Sequence, residues 1–405
     1  MGRETQFLCL AVLSLPLVAG SLYSTWNVLR IPHVSLAALA VRLGLVFLTT
    51  KLSLSFFTKF RFYARARSLG CGPVVVCPSR DPILGIDTFV ESIRANSKNE
   101  LLELLATRFE RIAGTYYFLA LGRWILLTNE YENVKTILGT KMDDWPIAGP
   151  RLLATLPVLG AKSVFTSNGR DWHHARSMIR PAFVRDQVAD IQCFDKHIRN
   201  LLANIPTDGG TVDLQQLMQK MTMDSSTDFM LGYSTNMLTN PSPEAYQFIQ
   251  DFEYASYESA RRARMGPILF MLPHKRLDES VKGLNRFIRH YLRKAIADKK
   301  EKQAEAKDRD YVFLDELLKS GASEQFIIDQ ILSVIIAGRD TTANAMTSVF
   351  WYLARAPDVV AKMRQEIVDV GAENPSWEQL KGMKYLNSII KEGTSRRKKP
   401  DWKAF

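Results

Sequence analysis

Cysteine is scarce in this chain: there are four in 405 residues, and none after Cys193. Cys9 lies in an apolar N-terminal run, Cys71 and Cys77 precede the first globular helices, and Cys193 has no glycine or arginine in register; all read as ordinary reduced thiols. Several cofactor signatures are also missing. There is no Gly-x-Gly-x-x-Gly after a strand, no phosphate-loop lysine, no Cys-x-x-Cys-His and no His-Glu-x-x-His. The six histidines do not cluster as metal ligands, and His173 and His174, being adjacent, point to different helix faces, so at least one is exposed. Internal repeats and low-complexity segments are absent. The net charge of +11 is spread along the chain without aromatic-interleaved basic blocks, which argues against a nucleic-acid partner. A membrane surface or an acidic electron donor suits it better, beside the plainer reading of a generally solvated basic surface.

What is present suits a large core plus an anchor, since 46% of the residues are hydrophobic. Residues 7–23 are almost free of charge, and residues 31–57 form a second apolar stretch broken by His33, Arg42 and Lys51. Each approaches the length of a membrane span. A cleaved signal peptide is the alternative, with Val18-Ala19-Gly20 near a cut. Lys59, Arg61, Arg65 and Arg67 follow with no acid before Asp81, the positive flank expected on the cytoplasmic side. The division expected is an anchor over 1–58, a basic linker over 59–80, a globular domain over 81–392 and a divergent basic tail over 393–405. Helical patterns cover 186–204, 213–231, 243–264 and 278–305, and residues 114–127 are the best hairpin candidate.

The stretch 324–355 is apolar-periodic with no internal proline and a single glycine, Gly338. Ser323 can cap its start and Pro357 stops it. At about 1.5 Å per residue it makes a rod of about 45 Å, long enough to cross a domain. Within it an apolar run gives way to Ala337, Gly338, Arg339, Asp340, Thr341 and Thr342. Polar groups in a core helix need partners or a purpose, and a small residue beside an acid and an alcohol suggests a groove where something approaches the backbone. The plainer reading is a threonine bonded back to its own helix beside a surface acid.

Ala337 to Thr342 resembles the oxygen-activation motif, small-Gly-x-acid-Thr-Thr/Ser, of the cytochrome P-450 superfamily of haem-thiolate monooxygenases. A second motif agrees. Trp172 and Arg176 fit that family's Trp-x-x-x-Arg pattern, a spacing that places both on one helix face, and Arg180-Pro181-Ala182-Phe183 matches its continuation. The strings Arg80 to Asp87 and Lys141 to Pro146 resemble the fungal membrane-bound branch that hydroxylates n-alkanes and fatty acids. The resemblance covers about residues 70 to 392 and departs there. Glu392 takes the glutamate position of the family's Glu-x-x-Arg helix, but Ser395 stands where the arginine belongs and Arg396 comes one residue late, rotated by about 100°. The loop bearing the axial cysteine has no counterpart in the chain.

The resemblance implies a mainly α fold with a small β-sheet, a cytochrome P-450 fold incomplete at its C-terminus and carrying an N-terminal membrane anchor. It implies haem, with Trp172 and Arg176 at its propionates, Ala337 and Gly338 beside it, and Asp340, Thr341 and Thr342 serving proton delivery to dioxygen. No protein ligand to the metal is assigned. It further implies reducing equivalents from NADPH through a flavoprotein reductase, an apolar small-molecule substrate entering from membrane lipid, and an endoplasmic reticulum membrane location with the catalytic domain facing the cytoplasm. The competing expectation is a membrane-anchored, non-catalytic remnant that lacks the thiolate.

Overall fold

The computed structural model describes residues 36–72, 75–183, 191–266, 272–302, 313–372 and 374–395. They fall into two compact units, one ending at Asn133 and the other beginning at Val134.

The first unit opens with α1 (Leu36–Ser68), whose last turn holds Arg65 and Arg67 where the helix dipole favours cations. This helix runs unbroken through position 58, where the sequence suggested passage from anchor to linker. Among the described residues no helix is long and apolar enough to cross a membrane. The structure therefore does not show the span expected over 31–57, and the run over 7–23 lies outside the described residues. Next come β1 (Val75–Val76), α2 (Ile86–Ser97), α3 (Leu101–Arg111), β2 (Thr115–Ala120) and β3 (Arg123–Thr128), the strands forming one sheet in the order β1-β2-β3. β2 and β3 are the expected hairpin. Their turn, Leu121-Gly122, has φ of 48° and 74°, the left-handed pair that matches the twist of a two-residue hairpin.

The string from Arg80 to Asp87 is a folded turn. The Asp81 carboxylate accepts the backbone N–H groups of Ile83, Leu84 and Ile86 at 3.0–3.1 Å, while Asp87 accepts from Ser79 Oγ at 2.7 Å and Arg80 N at 2.6 Å. The bonds from Ser79 and Arg80 hold the Asp87 carboxyl down to about 2. Gly85 sits at φ 65°, and a Cβ there would collide with the Leu119 carbonyl of β2. The backbone freedom of glycine thus lets α2 close on the sheet.

The short helix α4 (Tyr131–Lys135) spans the boundary, and the second unit is helical: α5 (Gly149–Leu159), α6 (Gly169–Ile179), α7 (Gln192–Ala203), α8 (Leu214–Leu231), α9 (Pro243–Met265), α10 (Lys275–Lys302), α11 (Phe313–Lys319), α12 (Glu324–Leu353), α13 (Pro357–Val370), α14 (Trp377–Gly382) and α15 (Lys384–Ser395). Four expected helices appear as α7 to α10, with the first part of 186–204 outside the described residues. α12 is the expected rod. The Ser323 side chain accepts from Phe326 N at its start, and Pro357 opens the next helix. One core of buried side chains gathers Val158 and Leu159 of α5, Phe248 and Phe252 of α9, Leu284 and Ile288 of α10, and Ile327, Ile331 and Ile335 of α12. Burial of this apolar surface on a common centre is what holds the helices together.

Candidate active site

The polar residues in the buried first half of α12 build a clamp. Gln330 Nε2 donates to Lys162 O at 2.7 Å, Val164 N donates to Gln330 Oε1 at 3.3 Å, and the hydroxyls of Ser163 and Ser333 lie 2.7 Å apart. Asp329 packs over Gly160, whose φ of 75° and lack of a Cβ admit the carboxylate. Burial raises the Asp329 carboxyl above its ordinary range, against the lowering effect of the Gln325 amide and the Lys162 N–H. The clamp fixes the loop from Gly160 to Asn168, and that loop feeds straight into α6. Sequence reading missed this role, although Asp329, Gln330 and Ser333 were visible as polar letters inside an apolar run.

α6 carries Trp172 and Arg176. Ala175 and Ile179 anchor its inner face, Trp172 is half-buried and edge-on to His173 at 5.0 Å, and His174 lies 5.4 Å from the Phe326 ring of α12. Both histidines are exposed, and His173 reaches Asp143 at 3.4 Å. Arg176 is exposed and forms no ion pair among the described residues. An unpaired guanidinium beside an indole is suited to a carboxylate ligand.

The second half of α12 is different. Ala337, Thr341, Thr342, Asn344 and Ser348 are exposed, and the spacing of 337, 341, 344 and 348 puts them in one stripe. Thr341 Oγ1 donates to Ala337 O at 2.6 Å, the bond of the plainer reading. With its proton committed there, the hydroxyl presents its lone pairs outward. Asp340 is half-exposed and accepts from Arg339 Nη1 at 3.0 Å. Gly338 is close to a neighbour: a Cβ there would meet Ser226 Oγ of α8 at 3.4 Å, so the element that approaches this glycine is another helix.

Glu392 is an exposed residue of α15. That helix starts where Glu366 accepts the N–H groups of Tyr385 and Leu386 at 2.9 and 2.8 Å, an N-terminal capture by a carboxylate that sequence reading did not find. A Cβ on Gly393 would stand 2.6 Å from Val349 Cγ2, so α15 rests closely on α12. Ser395 continues the helix, and Arg396 lies outside the described residues. Cys71 and Cys77 are free thiols of the first unit, while Cys9 and the Cys193 side chain lie outside the description. Among the described residues no group of three or more His, Cys, Asp or Glu is placed to hold a metal.

Two sequence motifs thus lie on helices joined by one clamp, with an exposed polar stripe on one and, on the other, an arginine with no ion pair among the described residues. The sequence model of the cytochrome P-450 family matches residues 80–394. The chain belongs to the cytochrome P-450 family. Among its relatives, cytochrome P-450 monooxygenase himC of Aspergillus japonicus is 35% identical, over 80% of this chain and 59% of its own length. Cytochrome P-450 52E1 of Candida apicola is 34% identical, over 82% of this chain and 66% of its own. Cytochrome P-450 52A1 of Candida tropicalis is 33% identical, over 67% of this chain and 53% of its own. The chain spans less than two thirds of the length of the first curated relatives it matches.

Proposed function

We propose that this chain carries one wall of the haem site of a haem-thiolate monooxygenase that inserts one oxygen atom of O2 into a C–H bond of an apolar substrate of the alkane or fatty acid class. The observation that carries the reading is the exposed stripe of Ala337, Thr341 and Asn344 on a helix buried all round in its first half. Small and hydroxyl side chains there leave room for a flat ligand and line it with hydrogen-bonding groups.

The residues present fit haem on two counts. The stripe offers a face, and Arg176 with Trp172 would hold a propionate, while the thiolate ligand would come from the part of the relatives that this chain does not span. When bound, haem supplies the redox centre for O2 activation, with reducing equivalents from NADPH through a flavoprotein reductase. The protein's own groups handle protons and water. Asp340, with its side chain 43% exposed, is open to solvent on the side away from Arg339. Thr341 accepts hydrogen bonds as placed, and it becomes a donor when its hydroxyl leaves the Ala337 carbonyl. The buried half of α12 anchors the helix in the core behind them. Residues 7–23, with the basic flank in the last turns of α1, would hold the enzyme on the endoplasmic reticulum membrane with its catalytic part on the cytoplasmic side.

The test is haem uptake by this chain and by a version extended to the length of its relatives, followed by the spectrum of the reduced, CO-bound form. A thiolate-type band is expected from the extended version and not from the chain alone, and Arg176→Ala should weaken haem binding by roughly tenfold or more, as loss of a charged hydrogen bond does. An extended version that takes up no haem overturns the reading. A second reading, a membrane-associated chain that binds partners or lipid without catalysis, has one observation in its favour. Phe350, Ile367 and Val368, on α12 and α13, are exposed by 48%, 46% and 69%. Flotation with phospholipid vesicles by the chain alone, without haem uptake by either version, would favour it.

A further inference from the structure

Arg339 fills the variable position of the six-residue string, and its surroundings differ from those of its neighbours. It is only 5% exposed, although Ala337 and Thr341 on the same stretch face outward. Its Nη2 donates to Glu253 Oε1 of α9 at 2.7 Å and its Nη1 to Asp340 Oδ1 at 3.0 Å, so one guanidinium serves two carboxylates on two helices. The group also lies over the Phe252 ring of α9, 5.4 Å from its centroid. Nε is buried and has no acceptor among the described residues. A buried donor without a partner is destabilising, so the arginine is kept in place by its two carboxylates and the ring. A planar fork can address two acceptors at once, which an ammonium on a flexible stem does not reproduce.

We infer that Arg339 is a positioning residue that couples α9 to the acid of the α12 motif. Glu253 and Asp340 share one fork through separate nitrogens. A displacement of α9 that draws Glu253 away removes one of the two bonds that hold the guanidinium and so loosens its hold on Asp340; loss of the Asp340 bond likewise frees the fork and loosens α9. A ligand that presses on α9 therefore resets the orientation of Asp340 without touching it. Only the meaning of that reset for proton delivery rests on the function proposed above.

The coupling is read by amide hydrogen exchange on the full chain, in segments 249–256 and 336–343. Glu253→Gln should speed exchange in 336–343, and Asp340→Asn should speed it in 249–256, each by about threefold to tenfold, within the range of couplings between contacting residues. The double variant should do no more than the larger single one. Arg339→Lys, which keeps the charge and loses the fork, should reproduce both effects; a role confined to charge would leave it silent. If each effect stays within its own helix, or the two effects add, the inference falls. Should Arg339→Lys fail to fold, the two carboxylate variants carry the test, since both residues are at least partly exposed. Exchange needs neither haem nor turnover. Absence of haem uptake would end the functional proposal and leave this result standing.

Discussion

From Phe326 to Ile335 every side chain of α12 is buried, whereas from Ala337 to Leu353 only Arg339, Ala343 and Leu353 are. One continuous helix therefore meets two environments, and its polar residues behave differently in each. In the first half Asp329, Gln330 and Ser333 are all bonded to neighbouring groups, as buried polar groups must be. In the second half Thr341, Asn344 and Ser348 stand in a stripe facing outward, and Arg339 alone of the polar residues is buried. The lesson is that one half of the helix belongs to the core and the other carries polar side chains at the surface. Substitutions in the two halves should separate stability from function.

The sharpest way to break this contrast is Ile331→Ala. Ile331 is fully buried in the main core, and its truncation should cost about 2 to 5 kcal/mol in urea unfolding. A cost below about 1 kcal/mol would mean that the first half of α12 is not a tightly packed strut. Gly160→Ala comes next. The new methyl would meet the Asp329 carboxylate at a backbone φ of 75°, so strain and displacement of the clamp should together cost about 1 to 3 kcal/mol. The same variant should raise amide exchange through residues 160–168, because the loop leading to Trp172 and Arg176 is held by that clamp.

Against these, Thr341→Val should move stability by no more than about 0.5 kcal/mol, as surface changes do. In a version extended to the relatives' length, Thr341→Val or Asp340→Asn should lower substrate oxidation by about 100-fold or more, the scale of lost proton-transfer assistance. Equal stability losses in the two halves would erase the distinction drawn here.

Much of this was legible beforehand, for reasons that differ by residue. The rod was readable because Ser323, the apolar period and Pro357 are local signals, and the hairpin because Gly122 marks a tight turn between apolar runs. Trp172, Arg176 and the string around Asp340 were readable as spacings. The clamp was not, since Ser163 and Ser333 are 170 positions apart and only folding brings their hydroxyls together. Nor was the pairing of Glu253 with Arg339, which depends on how α9 crosses α12. The neighbour of Gly338 was not readable either, since Ser226 Oγ of α8 comes near it only in the folded chain.

The smallest effect, and the most specific to the buried half, concerns pH. Burial raises the Asp329 carboxyl above its ordinary value, with the Gln325 amide and the Lys162 N–H opposing. The folded chain therefore binds this proton more tightly than the unfolded chain. Between the ordinary and the raised value the folded state holds more proton, so stability falls as pH rises through that window. The contribution is complete below the ordinary carboxylate value and lost above the raised one. Asp329→Asn keeps a carbonyl acceptor for the Lys162 N–H and removes the titration. Relative to the parent chain, its stability should improve as pH rises across the window and stay level beyond it, as read from urea midpoints at successive pH values. Parallel curves would show that the Asp329 proton is not linked to folding. The clamp would then owe its hold on the α6 loop to Gln330 and Ser333 alone.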